Sequence, residues 1–118
     1  MNSHQTINYI EIPTTNIKLT KTFFKEVFNF EFKDFGNDYT SFNDKILNGG
    51  FFTSNQTMQS RTGSALIIFY SNNIYDTYNK IIRANGKIVQ ETFSFPGGRR
   101  FHFEDLTGNE YAVWTDIL

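Results

Sequence analysis

The chain has 118 residues, 39% of them hydrophobic and 19% charged, with a net charge of −1 and no cysteine. That length fits one domain burying roughly two thirds of its unfolded surface. The charge gives no footprint for nucleic acid, and the missing thiols exclude disulfides, thiolate catalysis and thiolate metal sites.

Further exclusions follow from the pattern. No apolar run reaches the roughly 18 residues of a membrane span, and "MNSHQTINYI" has neither the basic start nor the apolar run of a secretory signal. The expectation is a cytoplasmic protein with no nucleic-acid or membrane partner. No phosphate-loop, dinucleotide or nucleophile-elbow fingerprint occurs.

The first element is a strand, "INYIEIP" (7–13), ended by Pro13. Alternation places Ile10 and Ile12 on one face and Tyr9 and Glu11 on the other. Asn16 is an N-cap for the helix "IKLTKTFFKEVF". Leu19, Phe23 and Val27 recur there every four residues, Phe24 and Phe28 widen the stripe, and Asn29 closes it. Three strands follow: "FEFKDF" (30–35), "YTSFN" (39–43) and "KILNGGFFT" (45–53). Gly49 and Gly50 read as a place of sheet curvature or close backbone approach.

The polar stretch "SNQTMQSRTG" (54–63) reads as a linker. After it "SALIIFYS" (64–71) reads as a buried strand. Asn73 caps a second helix whose Ile74, Tyr78, Ile81 and Ile82 share a face, and Asn85-Gly86 ends it. "KIVQETFSF" (87–95), "RRFHFED" (99–105) and "NEYAVW" (109–114) complete the strands, with turns at Pro96-Gly97-Gly98 and Leu106-Thr107-Gly108. The order is βαβββ twice. The halves superpose at an offset of 57, Ile10 on Ile67, Ile12 on Phe69 and Asn16-Ile17 on Asn73-Ile74.

The start "INYIEIPTTNI…FFKEVFNFEF" and the closing "FHFEDLTGNEYAVW" resemble the vicinal oxygen chelate superfamily, the glyoxalase, bleomycin-resistance and dioxygenase group. The resemblance covers nearly the whole chain, and the first strand-helix and the "F-x-D-x-x-G-N" turn are its specific parts. It implies an α+β fold: two paired βαβββ modules (about 7–53 and 64–116) in one domain, forming a cup-shaped mixed sheet with helices outside. It also implies where metal-using members place their ligands. These positions carry Tyr9, the region from Gly49 to Phe51, Ile67 (or Leu66), and Ala112. None is a good ligand, so no metal and no cofactor are expected. The small residue between Glu110 and Trp114 stands where the superfamily's metal-binding carboxylate would stand.

Alternation sorts what remains on the cup face. Tyr9 and Glu11 come from the first strand, Arg100, His102 and Glu104 from "RRFHFED", and Glu110, Ala112 and Trp114 from the last. A few convergent polar groups on apolar walls describe a small-molecule pocket. The candidate ligand contacts are Tyr9, Glu11, Arg100, His102, Glu110 and Trp114, with Glu11 and His102 as candidate bases.

Each residue also has a structural reading. Trp114 suits rim packing or a dimer contact, Arg100 suits neutralising Glu11, Glu104 or Glu110, His102 suits a satisfied half-buried position, and Tyr9 suits filling volume. Three functions therefore stand side by side. The first is a metal-independent small-molecule-binding protein, working as a homodimer. The second is a lyase, an isomerase or another glyoxalase-like enzyme with Glu11 or His102 as base, with or without a metal. The third is a dimeric scaffold without a ligand.

Overall fold

The computed structural model describes residues 2–117. Among them are eight strands and two α-helices in the order β1(Tyr9–Thr14), α1(Ile17–Phe28), β2(Glu31–Asp34), β3(Tyr39–Asn43), β4(Asn48–Thr53), β5(Ile67–Tyr70), α2(Ile74–Arg83), β6(Lys87–Phe95), β7(Gly98–Glu104) and β8(Glu110–Thr115). A short 3₁₀ turn spans Ser60–Thr62. The chain divides into two compact units, one ending at Gln56 and one starting at Thr57. Each is a βαβββ module.

In the first unit the sheet order is β1-β4-β3-β2, with β1 parallel to β4 and the other pairs antiparallel. The strand does not stop at Pro13. It runs to Thr14, with Pro13 opposite Phe52, because β1 is an edge strand and an edge tolerates a residue without an N–H. Helix α1 starts where Asn16 accepts a bond from the Leu19 N–H at 3.0 Å, and it ends at Asn29 in the left-handed conformation (φ 58°). Its buried face is Thr20, Phe23, Phe24 and Val27. Phe23, Phe24 and Val27 are the expected stripe, whereas Leu19 is exposed and Thr20 takes its place in the first turn. Phe23, Phe24, Phe30, Phe42 and Phe51 form the core with Ile12, and their rings meet stacked, tilted or edge-on at centroid distances of 4.8 to 5.5 Å.

The second unit repeats the plan in the order β5-β8-β7-β6, with β5 parallel to β8. Asn73 caps α2 by accepting from the Asp76 N–H at 3.1 Å. Ile74 and Ile81 are buried against the sheet with Phe101, Phe103, Tyr111 and Val113, whereas Ile82 is exposed. Strand β5 is not buried. Ile67 and Phe69 are half-buried while Ile68 and Tyr70 are exposed, so its apolar run covers two faces rather than one interior.

The repeat is visible in hydrogen bonds. In the first unit the buried Thr14 and Thr20 hydroxyls pair at 2.8 Å, and Thr14 Oγ1 also accepts from the Asn16 N–H. In the second, Ser71 and Thr77 pair at 2.8 Å and Ser71 Oγ accepts from the Asn73 N–H. All three correspondences keep the offset of 57, so each helix entry is pinned to its preceding strand by the same device.

The stretch 54–63 is more than a tether. Ser54 N–H donates to the Thr14 carbonyl in the first unit. From Thr57 onward the loop belongs to the second unit, where Met58 exchanges bonds with Asn109 Oδ1 (2.7 Å) and the Glu110 N–H (2.8 Å). Among the described residues no helix is long and apolar enough to cross a membrane.

Candidate functional site

The site in the second unit is built by a turn. Asp105 is 5% exposed, and its Oδ1 accepts from the Thr107 N–H (2.9 Å), the Thr107 hydroxyl (2.9 Å) and the Asn109 N–H (3.1 Å). Its Oδ2 accepts from the Tyr111 hydroxyl at 3.2 Å. Burial raises the Asp105 carboxyl above its ordinary range, against the pull of these bonds. Burial and the adjacent Asp105 charge keep the Tyr111 phenol protonated. Gly108 adopts φ +89°, which a side chain would strain. The motif "F-x-D-x-x-G-N" is therefore structural here. It closes β7 onto β8 and offers Asn109 to Met58, which brings the loop beside β8.

That loop delivers Ser60 to Glu110. Glu110 Oε1 accepts from the Ser60 N–H at 2.8 Å and from its hydroxyl at 2.9 Å. Glu110 Oε2 lies 2.8 Å from His102 Nδ1, and His102 Nε2 lies 3.0 Å from Arg100 Nη2. Desolvation works against the Glu110 carboxylate, but the bonds from His102 and Ser60 outweigh it and hold the group below its usual range. The four residues make one chain, Ser60–Glu110–His102–Arg100. They line an open concavity of about 360 Å³ together with Arg61, Val89, Gln90, Phe93 and Glu104. The Arg100 guanidinium lies over the Phe93 ring, 5.5 Å from its centroid.

Strand register confirms which side chains share this face: Arg100 is opposite Trp114, His102 opposite Ala112, and Glu104 opposite Glu110. Trp114, however, does not line the concavity. Its indole meets Tyr70 edge-on at 5.2 Å and Phe95 at 6.3 Å. Arg100 forms no ion pair within 4.0 Å among the described residues, so the neutralising role open to it in the sequence is not the one it takes.

Tyr9 and Glu11 lie on the sheet of the first unit, with a residue the sequence did not single out. The Tyr39 hydroxyl donates to Glu11 Oε2 at 2.9 Å and hydrogen-bonds the Tyr9 hydroxyl. Burial, followed by these two partners, pushes the Tyr39 phenol far above its usual range, so it stays a donor. Gly50 makes this possible, since a Cβ there would stand 2.0 Å from the Tyr39 oxygen and 2.9 Å from that of Tyr9. Ser60 was also missed. Neither carries a local signal: Tyr39 reaches Glu11 only through the pairing of the sheet, and Ser60 reaches Glu110 only through the Asn109 turn.

The superfamily-type metal positions do not fit a divalent ion. Tyr9 is a phenol engaged by Tyr39, Gly50 has no side chain, and Ile67 and Ala112 are hydrocarbon. Among the described residues no group of three or more His, Asp or Glu side chains is placed to hold a metal.

A family model described as "Glyoxalase/Bleomycin resistance protein/Dioxygenase superfamily" matches residues 6–113. Solved structures share the fold at low identity. The fosfomycin resistance protein FosX of Listeria monocytogenes, a point mutant complexed with Mn(II) and 1S,2S-dihydroxypropylphosphonic acid, is 15% identical with a TM-score of 0.80, over 98% of this chain and 94% of that one. A glyoxalase/bleomycin resistance protein/dioxygenase family enzyme from Burkholderia phytofirmans PsJN is 12% identical with a TM-score of 0.78, over 93% and 98%. The hypothetical protein SA1046 of S. aureus is 16% identical with a TM-score of 0.73, over 97% and 95%. No curated protein matches the chain.

Proposed function

Because this chain belongs to the glyoxalase/bleomycin resistance protein/dioxygenase superfamily, we propose that it is a metal-independent small-molecule-binding protein whose ligand meets Arg100 in the concavity of the second unit. One observation carries the reading. A guanidinium lines an open cavity, held by Phe93 and an imidazole, with no carboxylate within 4.0 Å among the described residues. Such a cation suits an anionic or carbonyl group on a compact body, and Val89 and Phe93 supply the apolar wall. The dihydroxypropylphosphonic acid bound to the Listeria FosX is a ligand of that general kind. Among the described residues no group of three or more His, Asp or Glu side chains is placed to receive an ion such as its Mn(II). His102 and Glu110, which line the same concavity, are further proposed contacts.

The proposed working form is a cytoplasmic homodimer. Exposed Ile68 and Tyr70 on the second sheet support an assembly that covers them. The test of the binding reading is a melting-shift screen of small acids and carbonyl compounds on the wild type and on Arg100→Ala. A hit should lose about 10- to 100-fold in affinity in the variant, the cost of a charged hydrogen bond. Unchanged affinity for every hit would move the site away from Arg100.

A second reading, a lyase or isomerase, draws on the carboxylate–imidazole pair of Glu110 and His102. Turnover of a diketone or hydroxy-thioester panel, lost in His102→Gln, would favour it over simple binding.

A further inference from the structure

The chain Ser60–Glu110–His102–Arg100 has a definite proton arrangement. A guanidinium has five N–H donors and no lone pair, and it stays charged. In its 3.0 Å contact with Arg100 Nη2, His102 Nε2 is therefore the acceptor. The single ring proton is then on Nδ1, donated to Glu110 Oε2 at 2.8 Å. Glu110 is ionised and fixed by Ser60. The charged groups facing this cavity are Arg100 and Glu104 from β7, Glu110 from β8 and Arg61 from the turn. Strand β6 contributes Val89, Gln90 and Phe93, all uncharged.

Arg100 is thus poorly matched in the free protein. Its Nη2 bonds an uncharged nitrogen, and its buried Nε has no hydrogen-bond partner among the described residues. An oxyanion is a stronger acceptor for a guanidinium than an imidazole lone pair is. An anion that takes the Nη2 hydrogen now donated to His102 breaks the N–H···Nε2 bond, and the lone pair of His102 then opens to the cavity. The ring then stands between two negative charges, the anion and Glu110. Opposite charge on both sides favours the imidazolium.

We propose that the site binds small oxyanions together with one proton, His102 releasing Arg100 to the anion and taking up a proton from solvent. The imidazolium keeps its Nδ1–H bond to Glu110 and gains an Nε2–H donor toward the anion. The ligand class is a weak acid, captured as anion plus proton. The proposal rests on the reading of this concavity as the ligand site.

Two probes, sodium benzoate and sodium sulfate, test it separately. Both are fully ionised near neutral pH, so any proton taken up belongs to the protein. Nitrogen-15 spectra of the free protein, with His102 assigned by its loss in His102→Gln, should show Nδ1 protonated and Nε2 bare. An Nε2–H tautomer overturns the proposal without any ligand. Titration with an anion that binds should move His102 to the imidazolium signature. Calorimetry in two buffers of different ionisation enthalpy should then give about one proton taken up per anion, with affinity falling as pH rises. His102→Gln should bind with no uptake and a flat pH profile. Binding to wild type with no uptake overturns the proton coupling and leaves the ligand site standing. Failure of both anions to perturb Arg100 or His102 overturns the coupling and the oxyanion reading of the site together.

Discussion

Replacing Asp105 tests whether the closing turn holds the second unit together. Asp105→Ala removes one acceptor from the Thr107 N–H, the Thr107 hydroxyl, the Asn109 N–H and the Tyr111 hydroxyl. Thr107 is half-buried and recovers part of its loss through water, whereas Asn109 and Tyr111 are fully buried. A buried donor that loses its acceptor costs about 1–3 kcal/mol, so the variant should lose roughly 3–5 kcal/mol, a large share of a domain's 5–15 kcal/mol. Asp105→Asn behaves differently. Its amide oxygen keeps the three Oδ1 contacts, its amino group meets the Tyr111 oxygen as a donor, and the cost of burying a charge disappears. It should stay within about 1 kcal/mol of wild type at neutral pH.

The pH dependence carries a sign. The folded carboxyl is raised, so the folded state binds a proton more tightly than the unfolded chain does. Asp105 therefore disfavours folding above its folded value, and this penalty fades as pH falls toward the unfolded value. Asp105→Asn should gain on wild type at pH 7 and lose that gain in acid. Urea denaturation of the three proteins at several pH values is the assay. An Ala variant within about 1 kcal/mol of wild type, or an Asn variant as damaged as the Ala one, would refute the turn's role.

Four more outcomes follow from the same structure. Gly98→Ala puts a Cβ 1.9 Å from the Thr115 carbonyl oxygen, a backbone atom, and should cost roughly 3 kcal/mol by denaturant titration. Glu110→Gln should lose about 1–2 kcal/mol at pH 7; because the Glu110 carboxyl is lowered in the folded state, wild type keeps this advantage above the ordinary carboxylate range and loses it as pH falls through the folded value, so the two melting curves should converge in acid. Light scattering should give twice the 13.8 kDa chain mass, and a monomer at tens of micromolar, roughly a generous concentration for a specific interface, would remove the dimer. Added Ni²⁺, Zn²⁺ or Mn²⁺ should leave the melting temperature unchanged, where a true ligand at 100 times its dissociation constant would add about 2.7 kcal/mol.

The sequence by itself determined what depends on neighbours within a few residues. Asn16 and Asn73 start helices because a short amide side chain reaches an N–H three residues ahead, whatever lies elsewhere. Asn29 ends α1 because Asn tolerates a left-handed φ. The alternation on β7 and β8 put Arg100, His102 and Glu110 on one face without knowledge of pairing, since a strand's period is two. Tertiary structure decided the rest. Pro13 stays in its strand because β1 lies at an edge, and Leu19 is exposed because β4 selects which side of α1 it covers. Ser60 meets Glu110 across 50 residues, and Tyr39 meets Glu11 across 28. Such contacts leave no local trace, because chain-distant partners are set by how strands register and turns close, and that choice minimises the free energy of the whole fold rather than of any one segment.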